Sequence, residues 1–260
     1  MKYASELDTL VIGHPQDDYF SKGAAATSGP FATLRGLPEV STIAEKIGID
    51  RDITLAEHTG IKYHADQITS KASIESIRNA KKRGLKITAG TSVHHLILNE
   101  YDIANYRTFF KFSPPLRSES DRLALVEGLL DGDLDTISSF HSPQDEESKR
   151  LPYEVAAAGA VGLETLLPMT LELYHNGHLP ILKALSFITS RPSEIFNLPA
   201  GQLIKGAAAD FALIDIDTGW QVSDKTLNSK SKNSPFDGRP IQGHAITTVI
   251  DGRFVHGSKV

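Results

Sequence analysis

Short apolar runs alternate along this chain with longer stretches in which apolar residues recur every three to four positions. The first run, Leu10-Val11-Ile12-Gly13-His14, reads as a strand ending in a polar residue. A polar, Gly-rich stretch follows to about Pro38. The pattern then predicts a helix from Ile43 to about His58, with Thr42 and Glu45 spaced as a capping box and Gly60 as its stop. Residues 63–68 read as a second strand. Residues 73–83 read as a helix with Ile74, Ile77 and Ala80 on one face and Gly84 suited to the position past its C-cap. Residues 85–89 form a third predicted strand. A helix at 120–130 carries Leu123, Leu125, Val126, Leu129 and Leu130 as its apolar set and stops before Gly132. Residues 134–140 give a fourth strand. Helices follow near 163–174 and 182–190, the second ending before Arg191-Pro192, because proline disfavours helix at the residue before it.

The pattern changes near residue 200. Residues 209–215 and 246–250 read as strands with no helix between them, and Asp251-Gly252 is a hairpin turn signal leading into 253–255. The expected domains are therefore a β/α body over 1–199 and a small β appendage over 200–260. Alternating strands and helices point to the α/β class with a parallel sheet or barrel. About four β/α units are legible, where a closed barrel of this type has eight. The expectation is a partial TIM-type barrel plus a β-sandwich appendage.

Composition narrows the function classes. With 260 residues, 40% hydrophobic, 23% charged and a net charge of −5, the chain has ordinary globular composition. It has no Cys, which excludes disulfides and thiolate metal sites. No basic cluster points to nucleic acid. No apolar run approaches the roughly 20 residues that span a bilayer. Met1-Lys2-Tyr3-Ala4-Ser5-Glu6 lacks the order of a signal peptide, so a cytoplasmic location is the default expectation.

Several segments carry a resemblance. Lys111-Phe112-Ser113-Pro114-Pro115-Leu116-Arg117, followed by Ser138-Ser139-Phe140-His141-Ser142-Pro143-Gln144, resembles the dihydroorotase pair "NPPLR … TDHAPH". Gly162-Leu163-Glu164-Thr165-Leu166-Leu167-Pro168, the 230–236 run Lys-Ser-Lys-Asn-Ser-Pro-Phe, and Gly206-Ala207-Ala208-Ala209-Asp210-Phe211 resemble dihydroorotase segments in the same order. The likeness covers essentially the whole chain and matches roughly the C-terminal two thirds of a family member. The part without a counterpart here would carry half the appendage, the first barrel strands, the H-x-H metal motif and the bridging Lys or Asp ligand. No H-x-H occurs anywhere in the sequence.

In that family, zinc ions at the strand ends lower the pKa of a bound water, and an Asp shuttles the proton in the reversible closure of N-carbamoyl-aspartate to dihydroorotate. The resemblance implies a role for each matching position. His14, in His14-Pro15-Gln16-Asp17 against the family's H-x-E-D, matches a metal ligand and is expected to be vestigial or structural. Gln67, in Gln67-Ile68-Thr69-Ser70, replaces a ligand His with a neutral and weak donor. His64 should point to the opposite side of its strand from Gln67. His94-His95 is expected to be a hydrogen-bonded loop pair. Ser113 stands for a substrate-contacting Asn, Gln144 for a substrate-contacting His, and Ala158-Gly159 for a Pro-Gly or Phe-Gly substrate loop. Phe140 stands where the general-base Asp belongs, so no catalytic residue is expected at that position: a phenyl ring has no lone pair and no titratable proton. Asp145, Glu146 and Glu147 lie nearby, while Asp133 and Asp135 read as capping or solvated groups.

Three functions follow as alternatives. One is an inactive dihydroorotase-like protein kept as a binding or assembly partner. The second is an active cyclic amidohydrolase, of dihydroorotase, allantoinase or hydantoinase type, completed by a missing N-terminal segment. The third is a non-functional gene remnant. Zinc is the family's cofactor, and tight binding by this chain is not expected. A half barrel leaves sheet edges open, so self-association or a protein partner, with aspartate carbamoyltransferase as the named candidate, is expected to cover it.

Overall fold

The predicted alternation folds into parallel sheet because each strand returns through a helix. The computed structural model describes residues 1–257. Its strands are β1 (Leu10–Gly13), β2 (Ala26–Thr27), β3 (Glu39–Val40), β4 (Lys62–Ala65), β5 (Ile87–Ser92) and β6 (Thr136–Ser138), followed by β7 (Phe211–Gln221), β8 (Pro240–Ile250) and β9 (Arg253–His256). Strands β1, β4, β5 and β6 form one four-stranded parallel sheet in that order. Ile12 aligns with His64 and His64 with Thr88, while Gly90 aligns with Thr136. This is half the strand count of a closed barrel.

The two faces of the sheet differ. Tyr63 donates its hydroxyl to Asp52 on the Ile43–Thr59 helix at 2.7 Å, so the face that includes Tyr63 and Ala65 meets the helical layer. Ile49, Ile53, Ile74, Ile77, Leu125 and Leu129 from the helices Ile43–Thr59, Lys71–Lys82 and Glu119–Asp131 are all buried. Each such side chain contributes about 1.5–3 kcal/mol on full burial. Ser70 and Ser118 cap the second and third of these helices through the amides of Ser73 and Asp121.

Three local expectations are corrected. Thr42 forms no side-chain cap, and Glu45 turns inward to a buried cation instead of back to the helix end. The predicted 182–190 helix is two helices, Ile181–Ser186 and Ser190–Ile195. Pro192 lies in the first turn of the second, where a missing N–H costs no hydrogen bond. Strands β4 and β6 stop short of 68 and 140, because Gln67 (φ +58°) and Phe140 (φ +46°) take the left-handed conformation.

The chain forms two compact units. The first holds residues 1–163 with 229–235, and the second 164–228 with 236–260. The last helices before residue 200 fall in the second unit, where they pack with the appendage sheet. Glu172 pairs with Arg239 at 2.6 Å, and His175 meets the Ile216 carbonyl at 3.0 Å. Gly243 (φ +95°) lies so near the Leu171 side chain that a Cβ there would be 2.3 Å from Cδ1. The appendage sheet is antiparallel in the order β7-β8-β9. Among the described residues, no helix is long and apolar enough to cross a membrane.

Candidate functional site at the strand ends

Parallel strands deliver their C-terminal ends to one side of a sheet, so β1, β4, β5 and β6 lead into His14, Gln67, His94-His95 and Phe140 respectively. The structure does not make one cluster of these residues. His14 is exposed and lies 3.2 Å from the Gln16 side-chain oxygen. Gln67 is buried. Its amide donates to Ser138 Oγ at 2.8 Å and to both Asp66 oxygens at 3.1 and 3.2 Å, and its Oε1 has no hydrogen-bond partner among the described residues. His64 is buried with Nδ1 2.8 Å from Thr88 Oγ1, on the sheet face opposite Tyr63. Burial holds its pKa below the usual value, with the Asp66 charge partly opposing.

The expected histidine loop is instead the first turn of a short helix, Val93–Ile97, capped by Ser92. Both rings are buried. His95 Nδ1 lies 2.6 Å from Ser92 Oγ, and its Nε2 faces the carbonyls of Pro114 and Pro115 at 3.2 and 3.3 Å. It therefore ties the Pro-Pro-Leu-Arg turn to the end of β5. Burial pushes the imidazole of His94 down to about 3 and that of His95 to about 4, so both are neutral near pH 7.

Phe140 closes the group. Its ring lies 6.2 Å from Phe112 at an interplanar angle of 24°, 6.1 Å from His95 and 6.5 Å from His94. Phe112 and His94 are 4.8 Å apart. The end of β6 thus supplies packing in an aromatic cluster. A non-glycine residue at positive φ is uncommon, and this one aims an apolar ring.

The aligned substrate positions divide. Gln144 and Gly159 come together: a Cβ on Gly159 (φ +121°) would lie 2.6 Å from the Ser142 carbonyl and 2.9 Å from Gln144 Nε2. The Gly159 amide donates to the Lys111 carbonyl at 2.8 Å. Asn233 fastens both, donating to the Gly159 carbonyl at 3.0 Å and accepting from the Gln144 amide at 3.4 Å. Ala158 is half-buried beside them, whereas Ser113 is exposed. No hydrogen bond joins Ser113 or His14 to the other candidates among the described residues.

Sequence reasoning missed the most deeply buried charges of this unit. Arg117 and Glu45 have side chains only 2% and 1% exposed, with Nη2 and Oε2 3.3 Å apart. Arg117 also donates to Thr69 Oγ1 at 2.9 Å and Thr27 Oγ1 at 3.2 Å. Glu45 accepts the amides of Thr69 and Ser70, each at 3.0 Å, and both of their hydroxyls. Burial alone would raise the Glu45 carboxyl, but Arg117 and Thr69 outweigh it and hold it below the usual range. Arg117 stands in the Pro-Pro-Leu-Arg run, but nothing local names its partner, 72 positions away.

A zinc centre needs several converging His, Cys or carboxylate donors. Phe140 offers no lone pair and Gln67 only a neutral amide. Among the described residues, no group of three or more His, Cys, Asp or Glu side chains is gathered where a metal could be held. The residues here do not fit the zinc set that the resemblance implies.

Comparison with known proteins decides the family. The amidohydrolase family model matches residues 1–255. The chain belongs to the amidohydrolase family. It is 40% identical over 256 residues to a dihydroorotase of Anaplasma phagocytophilum (strain HZ), covering 98% of this chain and 57% of the relative. It is 38% identical over 257 residues to a dihydroorotase of Bacillus subtilis (strain 168), covering 98% and 60%. This amidohydrolase chain therefore spans under two thirds of the length of the curated relatives it matches. Among solved structures it resembles L-hydantoinase (dihydropyrimidinase) from Arthrobacter aurescens, with a TM-score of 0.89 at 24% identity, over 98% of this chain and 59% of that one. A dihydropyrimidinase from Brevibacillus agri NCHU1002 gives 0.84 at 21%, over 98% and 58%. These two likenesses support the fold alone: a partial barrel of the amidohydrolase type.

Proposed function

We propose that this chain is a dihydroorotase-like member of pyrimidine biosynthesis that does not itself interconvert N-carbamoyl-aspartate and dihydroorotate, and that it serves as a cytoplasmic binding or assembly subunit. The observation that carries the reading is Phe140. Its ring packs on Phe112, His94 and His95 at the position aligned with the family's general base. Neither a metal bond nor proton transfer can be made from a phenyl group. Gln67 agrees, since its side chain is a neutral amide, a weaker metal donor than the imidazole it stands for, and its nitrogen is held by Ser138 and Asp66. The hydrogen-bonded Arg117–Glu45 network favours a chain that still folds over a decayed remnant.

The assembly role rests on the open edge. Strand β1 ends the four-stranded sheet, and Ile12 on it is 56% exposed. Exposed strand edges recruit further strands. A second copy of the chain, or a partner such as aspartate carbamoyltransferase, would cover it. Sedimentation of the purified chain, alone and with that partner, tests the role. Self-association or a stable mixed complex is expected, and a monodisperse monomer that ignores the partner would refute it.

A further inference from the structure

Apart from the strand ends, the first unit holds a cavity of about 440 Å³ lined by Arg35, Tyr106, Arg150, Leu151, Tyr153 and Glu154, among others. Arg35 ends the Pro30–Arg35 helix, and its guanidinium lies 5.8 Å from the Tyr106 ring centroid and 5.7 Å from that of Phe31. No carboxylate pairs with it among the described residues. Tyr106 donates its hydroxyl to the Arg35 carbonyl at 2.9 Å, which fixes the ring against the helix end. Arg150 pairs with Glu146, and both side chains are about 70% exposed, so that pair is screened and readily exchanged. Tyr153 meets Tyr106 edge to face at 6.5 Å.

Two buried ammonium groups hold the segment behind this cavity. Lys111 and Lys149 are each 6% exposed. Lys111 Nζ donates to the Glu154 carbonyl at 2.6 Å, and Lys149 Nζ to the carbonyls of Thr108 and Ala157 at 3.0 and 2.7 Å. An ammonium has three donors, so one donor of Lys149 and two of Lys111 are not spent on these carbonyls. Neither lysine has a carboxylate within hydrogen-bonding distance among the described residues. Burial and the Lys111 charge push Lys149 down to about 8, and burial lowers Lys111 as well. Unpaired buried cations are costly unless something neutralises them. The cavity lining itself carries two guanidiniums, Arg35 and Arg150, and one carboxylate, Glu154, while the two ammoniums hold the backbone at Glu154 and Ala157.

The geometry points to an anion site: the cavity binds a small oxyanion, a carboxylate or a phosphate, held in the forks of Arg35 and Arg150 beside the Tyr106 ring. Guanidinium forks match the oxygens of both groups. This site is independent of any role at the strand ends. Titration calorimetry of the full chain with inorganic phosphate, and separately with succinate, at ionic strength matched with sodium chloride, tests it. Saturable binding of at least one is expected. Phosphate alone assigns the site to phosphates, succinate alone to carboxylates, and both to oxyanions in general. Arg35→Gln should weaken binding about tenfold or more, the loss of one charge-assisted hydrogen bond. Arg35→Lys should fall between, and Arg35→Gln with Arg150→Gln should abolish it. Both arginines are exposed, so circular dichroism of the variants should match the parent. No saturable heat with either anion, or affinity unchanged in the double variant, overturns the proposal.

Discussion

Arg117→Met is expected to destabilise the chain by about 3–5 kcal/mol, because it leaves the Glu45 carboxylate buried without its counter-charge. The side chains are 2% and 1% exposed, so solvent cannot replace what is lost. Glu45→Gln should cost less, since the amide can still accept from the Thr69 and Ser70 amides. The double variant should recover part of the loss, because neither partner is then an isolated charge. Urea unfolding of the four proteins forms a double-mutant cycle. Coupling of more than about 1 kcal/mol supports the pairing; additive losses would contradict it. The network joins the first turn of the Ile43–Thr59 helix, the segment after β4 and the Pro-Pro-Leu-Arg turn. Its loss should therefore loosen the strand ends together.

The second large effect is on acid stability. His94 and His95 have pKa values of about 3 and about 4 in the folded chain, against an ordinary 6.5. The folded values are depressed, so the unfolded chain binds more protons between the two. Stability from these rings is fully present above pH 6.5 and is lost as pH falls toward 4 and then 3. Two protons correspond to a slope of up to about 2.7 kcal/mol per pH unit, and the whole window to roughly 3–5 kcal/mol per ring. His94→Phe should remove about one proton from that slope, and a phenyl suits the space beside Phe112 and Phe140. His95 is a poorer choice, because it also holds Ser92 and the carbonyls of Pro114 and Pro115. Unfolding free energies of parent and His94→Phe between pH 7 and 4.5 check this. Parallel curves would contradict it. Glu45 adds its own loss only as pH falls below the ordinary carboxylate value, so above about pH 4.5 the histidine effect is read without it.

The strands were legible where apolar residues ran together, with helices between most of them; β4 and β5 lie inside the sheet, and β1 and β6 at its edges. Their ends were not, because stopping a strand at Ala65 or Ser138 depends on the left-handed backbone of Gln67 and Phe140. Pattern reading has no rule that puts Phe at positive φ. Strands β2 and β3 are two residues each, too short for any period to register. Glu45 was misread for a different reason. Its spacing from Thr42 suits a capping box equally well, and only the fold brings Arg117 to it. For the candidate site, motif positions singled out Phe140, Gln67, Gln144 and Gly159. That Gln144 and Gly159 share Asn233, while His14 and Ser113 stay exposed, could be read only from the fold.

The central claim is that Phe140 has exchanged chemistry for packing. The most direct measurement is dihydroorotate hydrolysis, and N-carbamoyl-aspartate cyclisation, by the parent chain and Phe140→Asp with saturating zinc. Neither should exceed the uncatalysed rate, since Gln67 and the absent H-x-H leave a restored Asp without a metal to work with. Zinc-dependent turnover by the parent would contradict the account outright, and turnover by Phe140→Asp alone would show that Phe140 was the single loss.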